Sequence, residues 1–549
     1  MSSVTMVKVA VGATALVLSM PLMAQPKDFG EQVEQLLQAQ SVKLFGFTSP
    51  VAQSATGADV IPRELADAGQ RQFLAGGLSA EFVTRSVGGL GDMIAFWPDD
   101  LNYTHVIVCN EWGRAAESTP EGNDGYNPSV QRIDVGTGDV ETVLFGMARC
   151  DGIRTTQWGT VLATEENGAD GSAYEILDPL NTTGYWIADR GAAGADADIR
   201  TAVDGPTADN GENSIKKRIA LAAQSWEGLE VLDNGVVIGG DELRGEEDVD
   251  GGAIFRFVPD TFYDCDNNPV RPGQLCDNTI DDLADSPFVN GNNYALIAAC
   301  STIDADDPVA DPPQYGQGCE YGASGHWVGV SAATARFNAN DNGATGYCRP
   351  EDLHVDRSWG EFVGDDGIRW CWNNTCGGRN GETLCVTESS MDTDANTEKF
   401  VDLRGTAGVQ ALLTNADSEL ASANVTRFVQ NDAEMRSQDN LDIQPFTNNV
   451  YIVEDFTHGD IWACLQDGDD RDYASDGCVR MLSVRDPDAE PSGFIFDGTG
   501  ETAFYHVQHG EQPADLLDMD SNPWNGETDD LIKITGFKIS NAQTGPRAR

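Results

Sequence analysis

The stretch His105-Val-Ile-Val-Cys-Asn-Glu111 is a short apolar run that ends in polar and acidic residues. Similar units recur along the chain, in Thr160-Val-Leu-Ala-Thr-Glu165-Glu166, Val236-Val-Ile-Gly-Gly-Asp241-Glu242, Thr383-Leu-Cys-Val-Thr-Glu388 and Val450-Tyr-Ile-Val-Glu454-Asp455. A last variant, Thr502-Ala-Phe-Tyr-His506-Val-Gln508-His509, ends in an amide and an imidazole. Short strands at intervals of about 40–75 residues, separated by glycine-rich turns, predict an all-β fold of the β-propeller type. We expect loop insertions and a few short helices, at Gln25–Gln40, Glu64–Phe73 and Val409–Ala423.

The acids that end these units are candidate metal ligands. The inner strands of a propeller line a central channel, so acids at equivalent strand ends should converge at its mouth. Carboxylates held close together repel one another unless cations are bound, and calcium takes six to eight oxygen ligands. The alternative is that each acid is a surface residue of a very acidic chain. The candidates from these units are Glu111, Glu165, Glu166, Asp241, Glu388, Glu454 and Asp455.

The charge balance excludes several classes of partner. The 549 residues include 34 Lys+Arg and 89 Asp+Glu, which gives a formal net charge of −55. Such a chain lacks the basic face that nucleic-acid binding requires, and anionic lipid head groups would repel it. Because 40% of the residues are hydrophobic, the chain can bury a core and is not a disordered acidic protein.

The N-terminus predicts export. Lys8 is the only charged residue before Lys27, and an apolar run from Val9 to Leu22 precedes Ala24, so residues 1–24 are expected to be a signal peptide. A membrane helix kept in the mature protein is the alternative. We expect a periplasmic or extracellular protein, with no stable membrane insertion. Residues 25–80 should form an extension that packs on the propeller, and residues 81–549 the propeller itself, with an insertion around 260–317.

Twelve cysteines in an exported chain predict disulfides. Close spacing suggests the pairs Cys265–Cys276, Cys300–Cys319, Cys371–Cys376 and Cys464–Cys478. The sequence leaves the pairing of four others open, namely Cys109, Cys150, Cys348 and Cys385.

Three segments resemble the PhoX-type alkaline phosphatases. The first contains Cys150-Asp-Gly-Ile-Arg154, Thr156-Gln-Trp158-Gly159-Thr160 and Glu165-Glu166-Asn167, and is similar to a family segment with a cysteine, a Thr-Pro-Trp-Gly-Thr stretch and a double acid. Trp226-Glu227-Gly228 with Gly240-Asp241-Glu242, and Arg349-Pro350-Glu351-Asp352, resemble the family's His-Glu and Arg-Pro-Glu-Asp elements. Asn110-Glu111 and Gln508-His509-Gly510 are similar to two further stretches, so the likeness runs from about Phe82 to Gly510.

The resemblance implies a six-bladed propeller with a cluster of iron and calcium that hydrolyses phosphate esters outside the cytoplasm. It implies that Cys150 is a thiolate ligand of iron, that Glu227 and Glu351 bind metals and that Arg349 holds the phosphate. It also implies that the stretch Glu165-Glu166-Asn167 contacts the metals and the phosphate. Two positions depart from the family, since Trp226 replaces a histidine and Gln157 a proline. If Cys150 pairs with Cys109 instead, it cannot be a thiolate ligand.

The residues also support this chemistry on their own. A phosphate ester can approach a channel of carboxylates only if metals invert the local charge, and the metals then act as Lewis acids. A guanidinium is a planar, bidentate clamp for phosphate, for which Arg349 is the first candidate and Arg154 the second. A salt bridge within its own loop is the alternative role of Arg349.

We therefore expect a secreted metal-dependent phosphoesterase that acts on a small phosphate ester. Two other readings stay open. The protein could be another calcium-dependent propeller hydrolase, of the lactonase or phytase kind. It could also be a calcium-binding propeller that acts as a surface binding or assembly module without catalysis.

Overall fold

The computed structural model describes most of the chain, namely residues 29–63, 66–114, 125–201, 214–243, 250–265, 274–298, 323–356, 368–375, 381–388, 423–430, 434–466, 477–486, 489–509 and 528–539. These residues form a six-bladed β-propeller, as the sequence predicts. The first strands of the six blades contact one another in a closed ring around the central channel.

Blades 1 to 3 are built mainly from consecutive antiparallel strands. Blade 1 contains β3 (Gly91–Trp97), β4 (His105–Asn110), β5 (Pro128–Asp134) and β6 (Val140–Phe145), extended by β10 (Tyr185–Asp189) and β11 (Asp198–Thr201). Blade 2 contains β7 (Cys150–Thr155), β8 (Val161–Glu165), β9 (Ala173–Ile176) and β12 (Ile215–Lys217). Blade 3 contains β13 (Trp226–Val231), β14 (Val237–Asp241), β15 (Ile254–Pro259) and β16 (Gly291–Ala298).

Blades 4 to 6 complete the ring. Blade 4 contains β18 (Pro350–Asp356), β19 (Ile368–Asn374), β20 (Glu382–Glu388) and β21 (Ala423–Gln430), and β17 (Ala323–Val330) joins β16 to β21. Blade 5 contains β22 (Gln438–Ile443), β23 (Val450–Glu454), β24 (Asp460–Cys464), β25 (Cys478–Val484) and β1 (Gln72–Leu74). Blade 6 contains β26 (Glu490–Phe496), β27 (Thr502–Gln508), β28 (Thr528–Thr535) and β2 (Ser79–Gly88). Because β2 comes before blade 1 in the chain and pairs with β28 of blade 6, this pairing closes the propeller.

Two α-helices are described, α1 (Phe29–Leu44) and α2 (Ala335–Asp341), together with five short 3₁₀ turns. The helix expected at Gln25–Gln40 corresponds to α1. The helix expected at Glu64–Phe73 is wrong, because the described residues of this range form only a 3₁₀ turn, and Gln72 and Phe73 pair with β25. The signal peptide and nearly all of the third expected helix lie outside the described residues. None of the helices described is both long and apolar enough to span a bilayer.

Helix α1 and the residues after it pack on the last two blades. Leu37 of α1, with Phe45 and Phe47, shares one buried apolar cluster with side chains of β23 to β28. Within the region expected to be an insertion, Gly291–Ala298 is a strand that pairs with β15. The extension and the remainder of the insertion stay predictions.

The structure forms the disulfides Cys109–Cys150, Cys265–Cys276, Cys371–Cys385 and Cys464–Cys478, and no described cysteine is free. The expected Cys371–Cys376 pair is wrong, because Cys371 and Cys385 lie directly opposite each other on β19 and β20. The expected Cys300–Cys319 pair lies outside the described residues.

A buried ion cluster ties the N-terminal residues to blade 6. Asp530 of β28 lies 2.8 Å from Arg63, 3.0 Å from Arg71 and 2.9 Å from Arg85. Burial alone would raise the pKa of Asp530, but hydrogen bonds from Arg63 and Arg85 lower it overall. The cluster therefore stabilises the fold above the ordinary aspartate pKa, and this contribution is lost as the pH falls through the lowered value.

We expect Asp530→Asn to reduce the free energy of unfolding at pH 7 by about 1.5–3 kcal/mol, the usual value for a hydrogen bond to a charged group. Urea unfolding at pH 7 and pH 3 measures the effect, which should be smaller at pH 3. Asp198→Asn is the control, because Asp198 pairs with Arg200 at the surface and should cost less than about 1 kcal/mol. Equal stability of Asp530→Asn and wild type at pH 7 would contradict this role.

Candidate metal centre

Each inner strand carries an acid at its first or second residue. The six inner strands are the first strands of the blades and lie side by side, so their acids meet at one end of the channel. We call this set the acid ring, and it consists of Asp92, Asp151, Glu227, Glu351, Asp439 and Glu490.

In five of the six inner strands the acid lies within a β-bulge. The pairing with the second strand shifts between Cys150 and Ile153, between Trp226 and Leu229, and at the equivalent place in blades 1, 4 and 5. In blade 6 the shift lies between Ser492 and Ile495, after Glu490. Bulges turn side chains away from their regular direction and are common beside functional sites. The bulges also bring the inner strands close together, since a Cβ on Gly228 would lie 2.5 Å from the Glu351 carbonyl oxygen.

A second set of acids lies beside the ring, one residue after the end of the second strand of a blade. We call these the outer acids. Their backbone N–H groups donate to the carbonyl oxygen of the residue just before the inner strand of the same blade, over 2.8–2.9 Å. This repeated hydrogen bond holds the outer acids next to the acid ring, and the set is Glu111, Glu166, Glu242 and Asp455.

Two groups of these carboxylates could each hold a metal ion. Ligand atoms of the first group lie within 4.8 Å of one another, and the same limit holds for the second. The first group is Glu111, Asp151, Glu166 and Glu227, and the second is Glu227, Glu351 and Asp439. Glu227 therefore belongs to both groups.

Asp151 shows that the residues fit a cation. Its side chain is fully buried, and neither carboxylate oxygen accepts a hydrogen bond from an N–H or hydroxyl group of the described residues. The groups within hydrogen-bonding contact are the carboxyls of Glu111 and Glu227. A buried carboxylate without a donor is costly unless a cation binds it. All ligand atoms in both groups are carboxylate oxygens, the donor type that hard cations prefer.

The pKa values report the same crowding. Burial raises the pKa of Glu227 well above its ordinary value, and the nearby Asp151 and Glu351 carboxylates raise it further. Burial, together with a hydrogen bond to Glu166, raises the pKa of Glu242 to about 8. Without cations Glu242 holds a proton near neutral pH, so a cation bound beside it would displace that proton.

Of the predicted ligands, Glu111, Glu166, Glu227 and Glu351 come together in these two groups. Asp455 lies beside them, in hydrogen-bonding contact with Glu490 of the ring.

The predicted ligands Glu165, Asp241 and Glu454 do not join them. Glu165 binds Arg190 and the Ser172 backbone, and Asp241 binds Arg336 in a bidentate pair. Glu454 accepts from the Trp462 indole. Successive residues of a strand point to opposite sides, so the first acid of each doublet faces the blade interior and the second faces the ring.

Glu388 lies at the opposite end of its blade from the ring. It ends β20, the third strand of blade 4, and pairs with Ile368, whereas Pro350 and Glu351 begin β18 beside Asn374. The third strand runs in the same direction as the inner strand, so its last residue is far from the first residue of the inner strand. Its side chain lies outside the described residues.

Cys150 is in a disulfide with Cys109, which is the alternative that the sequence left open. A disulfide sulfur is not a thiolate, so this residue supplies no soft ligand. Trp226, where the family has a histidine, is buried in the core and donates to the Ala222 carbonyl oxygen. The departure from the family at this position is therefore a packing residue.

The predicted catalytic residues also separate. Arg349 lies at the ring, 3.5 Å from Glu351 and in an ion pair with Glu242. Arg154 lies inside the channel, where it donates to His354 over 2.6 Å. The side-chain oxygen of Asn167 accepts hydrogen bonds from Arg190, which also binds Glu165.

Sequence reasoning missed part of the site. A short signal was present, because an acid, any residue and then Ile or Leu mark the start of five inner strands. The missed acids are Asp92, Asp151, Glu242, Asp439 and Glu490, and Arg149 was missed at the rim. Of the two histidines that end the last unit, His509 contacts Glu490, whereas His506 is fully buried and its pKa falls to about 3 because of burial.

Comparison with protein-family models and with curated protein sequences finds no match. Among solved structures, Pseudomonas fluorescens PhoX in complex with vanadate, a transition state analogue, is similar at 14% identity and a TM-score of 0.52, covering 91% of this chain and 100% of that one. The Xanthomonas campestris gluconolactonase XC5397 has 10% identity and a TM-score of 0.35, covering 89% and 99%. The PQQ-bound aldose sugar dehydrogenase from Streptomyces coelicolor has 11% identity and a TM-score of 0.33, covering 83% and 98%. The likeness to PhoX supports the propeller fold, and membership of its family stays a prediction.

Proposed function

We propose that this protein is a metal-dependent phosphoric-ester hydrolase whose acid ring and outer acids hold calcium. The observation that carries the proposal is the placement of Glu227 in two adjacent carboxylate groups, with the Arg349 guanidinium at their edge. Carboxylates alone would repel a phosphate ester. Cations held by those carboxylates, beside a guanidinium, make the same place a site for phosphate.

The bound cations supply Lewis-acid chemistry and a nucleophile near neutral pH. The chain's own residues position them and the substrate. Glu227 would hold two cations next to each other, and Arg349 uses its fork of donors on the phosphoryl oxygens. The Arg349 side chain is 35% exposed, so it can reach a substrate at the rim.

The channel below the ring is blocked by side chains, which confines the substrate to the rim. Arg154 of blade 2 reaches across to Asp352 and His354 of blade 4, and these three side chains are at most 9% exposed. His354 also contacts Asp442 of blade 5 over 3.3 Å. A small phosphate ester therefore enters and leaves at the same end.

Iron, which the resemblance implies, does not fit in the thiolate-bound form, because Cys150 is tied to Cys109. Iron would have to be held by carboxylate oxygens alone. The oxygen donors fit calcium, so calcium is the cation of this proposal. Disulfides form in oxidising compartments, so we place the protein in the periplasm or outside the cell.

The test is phosphate release from 4-nitrophenyl phosphate by the purified protein. A chelator should abolish the activity and calcium should restore it, with iron assayed beside calcium. Hydrolysis of lactones but not of phosphate esters would replace the proposal with a lactonase. Stabilisation by calcium without turnover of any ester would replace it with a binding or assembly module.

Arg349→Ala is expected to raise the KM for 4-nitrophenyl phosphate about 10- to 100-fold, since a charge-assisted bidentate contact is lost. Steady-state kinetics at saturating calcium measures the change. Arg200→Ala is the matched control, because Arg200 is exposed on β11 and pairs only with Asp198 among the described residues. An unchanged KM in Arg349→Ala would limit Arg349 to a structural salt bridge.

A further inference from the structure

Arg149 and Arg349 occupy equivalent positions in two blades. Each residue directly precedes an inner strand, β7 for Arg149 and β18 for Arg349. The Arg149 carbonyl oxygen accepts the N–H of Glu166 over 2.9 Å, and that of Arg349 accepts the N–H of Thr375 over 3.3 Å. The two side chains therefore leave the backbone at the same level of the rim, one on each side of blade 3.

Both arginines have an unfavourable backbone conformation. Their φ angles are +58° and +54°, in the left-handed region that non-glycine residues rarely adopt. Leu90 and Ser437, which directly precede the inner strands of blades 1 and 5, share this conformation, with φ angles of +57° and +49°. The conformation therefore belongs to the turn before an inner strand, and it places the two arginines at equivalent points of their blades.

A row of charged side chains joins the two guanidinium groups. Arg149 Nη1 lies 3.1 and 3.3 Å from the Glu166 carboxylate oxygens, and Arg349 pairs with Glu242. Glu166 and Glu242 are in hydrogen-bonding contact with each other. The row Arg149–Glu166–Glu242–Arg349 therefore runs along the rim from blade 2 to blade 4.

The two arginines differ in exposure. The Arg149 side chain is 59% exposed, against 35% for Arg349. Nη2 and Nε of Arg149 donate to no other described residue, so they are available to a ligand. In a chain with a net charge of −55, an exposed guanidinium beside the metal groups is a local site for an anion.

We propose that Arg149 binds a second anionic group of the substrate. The substrates are then phosphate esters whose leaving group carries another phosphate. Arg349 and the cations take the phosphoryl group that reacts, while Arg149 holds the distal phosphate outside the ring. This inference rests on the proposed function and defines its substrate class.

The competing role for Arg149 is a surface salt bridge with Glu166. Exposed pairs of this kind contribute little to stability and none to substrate choice. The two roles differ in one measurable quantity, the preference for a bisphosphate over a monophosphate.

The experiment compares kcat/KM for glucose 1,6-bisphosphate and glucose 6-phosphate, per phosphate group, at saturating calcium. Wild type should prefer the bisphosphate about tenfold, in line with a charge contact at the edge of a binding site. Arg149→Gln should remove the preference and Arg149→Lys should keep part of it. Arg200→Gln, a change at an exposed arginine on the edge strand of blade 1, should keep all of it.

Three results would contradict the proposal in distinguishable ways. A wild-type protein that cleaves both sugars without preference overturns the role of Arg149 and leaves the proposed function standing. A preference that persists in Arg149→Gln, with folding checked by circular dichroism, overturns it as well. A wild-type protein that releases phosphate from no ester overturns the proposed function, and this inference with it.

Discussion

Glu227→Gln is expected to lose calcium binding and phosphoester hydrolysis together, with kcat reduced at least about 100-fold. Loss of a residue that only hydrogen-bonds to a metal ligand costs up to about 100-fold, and loss of a ligand itself should cost no less. Glu227 belongs to both carboxylate groups, so its removal affects two cations at once. Its side chain is 6% exposed and faces Asp151 and Glu351. Glutamine keeps the shape of the side chain but removes the charge that the cations require.

Phosphate release and calcium titration by calorimetry measure the two losses. Glu165→Gln is the matched control, because Glu165 precedes Glu166 in the chain but binds Arg190 inside the blade. We expect this control to lose stability yet keep its calcium affinity. The opposite result, with calcium affinity lost in Glu165→Gln and kept in Glu227→Gln, would show that the assignment of each doublet is reversed.

Removal of calcium is expected to destabilise the protein, and more strongly at pH 8 than at pH 5. In the cation-free protein the pKa of Glu242 is raised to about 8, above the value of about 4.3 in an unfolded chain. A carboxyl group with a raised pKa stabilises the fold while it is protonated, and this contribution is lost as the pH rises through the raised value. Stability of the cation-free protein should therefore fall between about pH 4 and pH 8.

Calcium is expected to reverse this trend, because it would bind the ionised carboxylates. At a hundredfold excess over Kd, each site would add about 2.7 kcal/mol to the free energy of unfolding. Thermal unfolding at pH 5 and pH 8, with chelator or with calcium, measures the difference. An identical Tm with and without calcium at pH 8 would contradict the account, and Glu227→Gln should lose most of the calcium response.

The fold was predictable because strand repeats and glycine-rich turns leave a strong pattern. The face of each side chain was not predictable, as the doublets Glu165-Glu166 and Asp241-Glu242 show. A shift of one residue in a strand moves a side chain to the opposite face. Both acids of a doublet have the same chemistry, so only the register tells the ligand from the structural residue.

Arg154 and Arg149 show that the end of a strand that faces the site was not predictable either. The two arginines are five residues apart, which corresponds to about 16 Å along an extended strand. The sequence identified a basic residue near the site but not the end of β7 that faces the rim. Arg154 therefore lies in the blocked channel, and Arg149 lies at the mouth.

The most direct test of the account is a crystal structure of the protein grown with calcium, with anomalous scattering used to locate the cations. We expect one peak among Glu111, Asp151, Glu166 and Glu227, and a second among Glu227, Glu351 and Asp439. Glu227 should coordinate both. An empty acid ring at saturating calcium, with its carboxyl groups hydrogen-bonded to one another, would contradict the central claim.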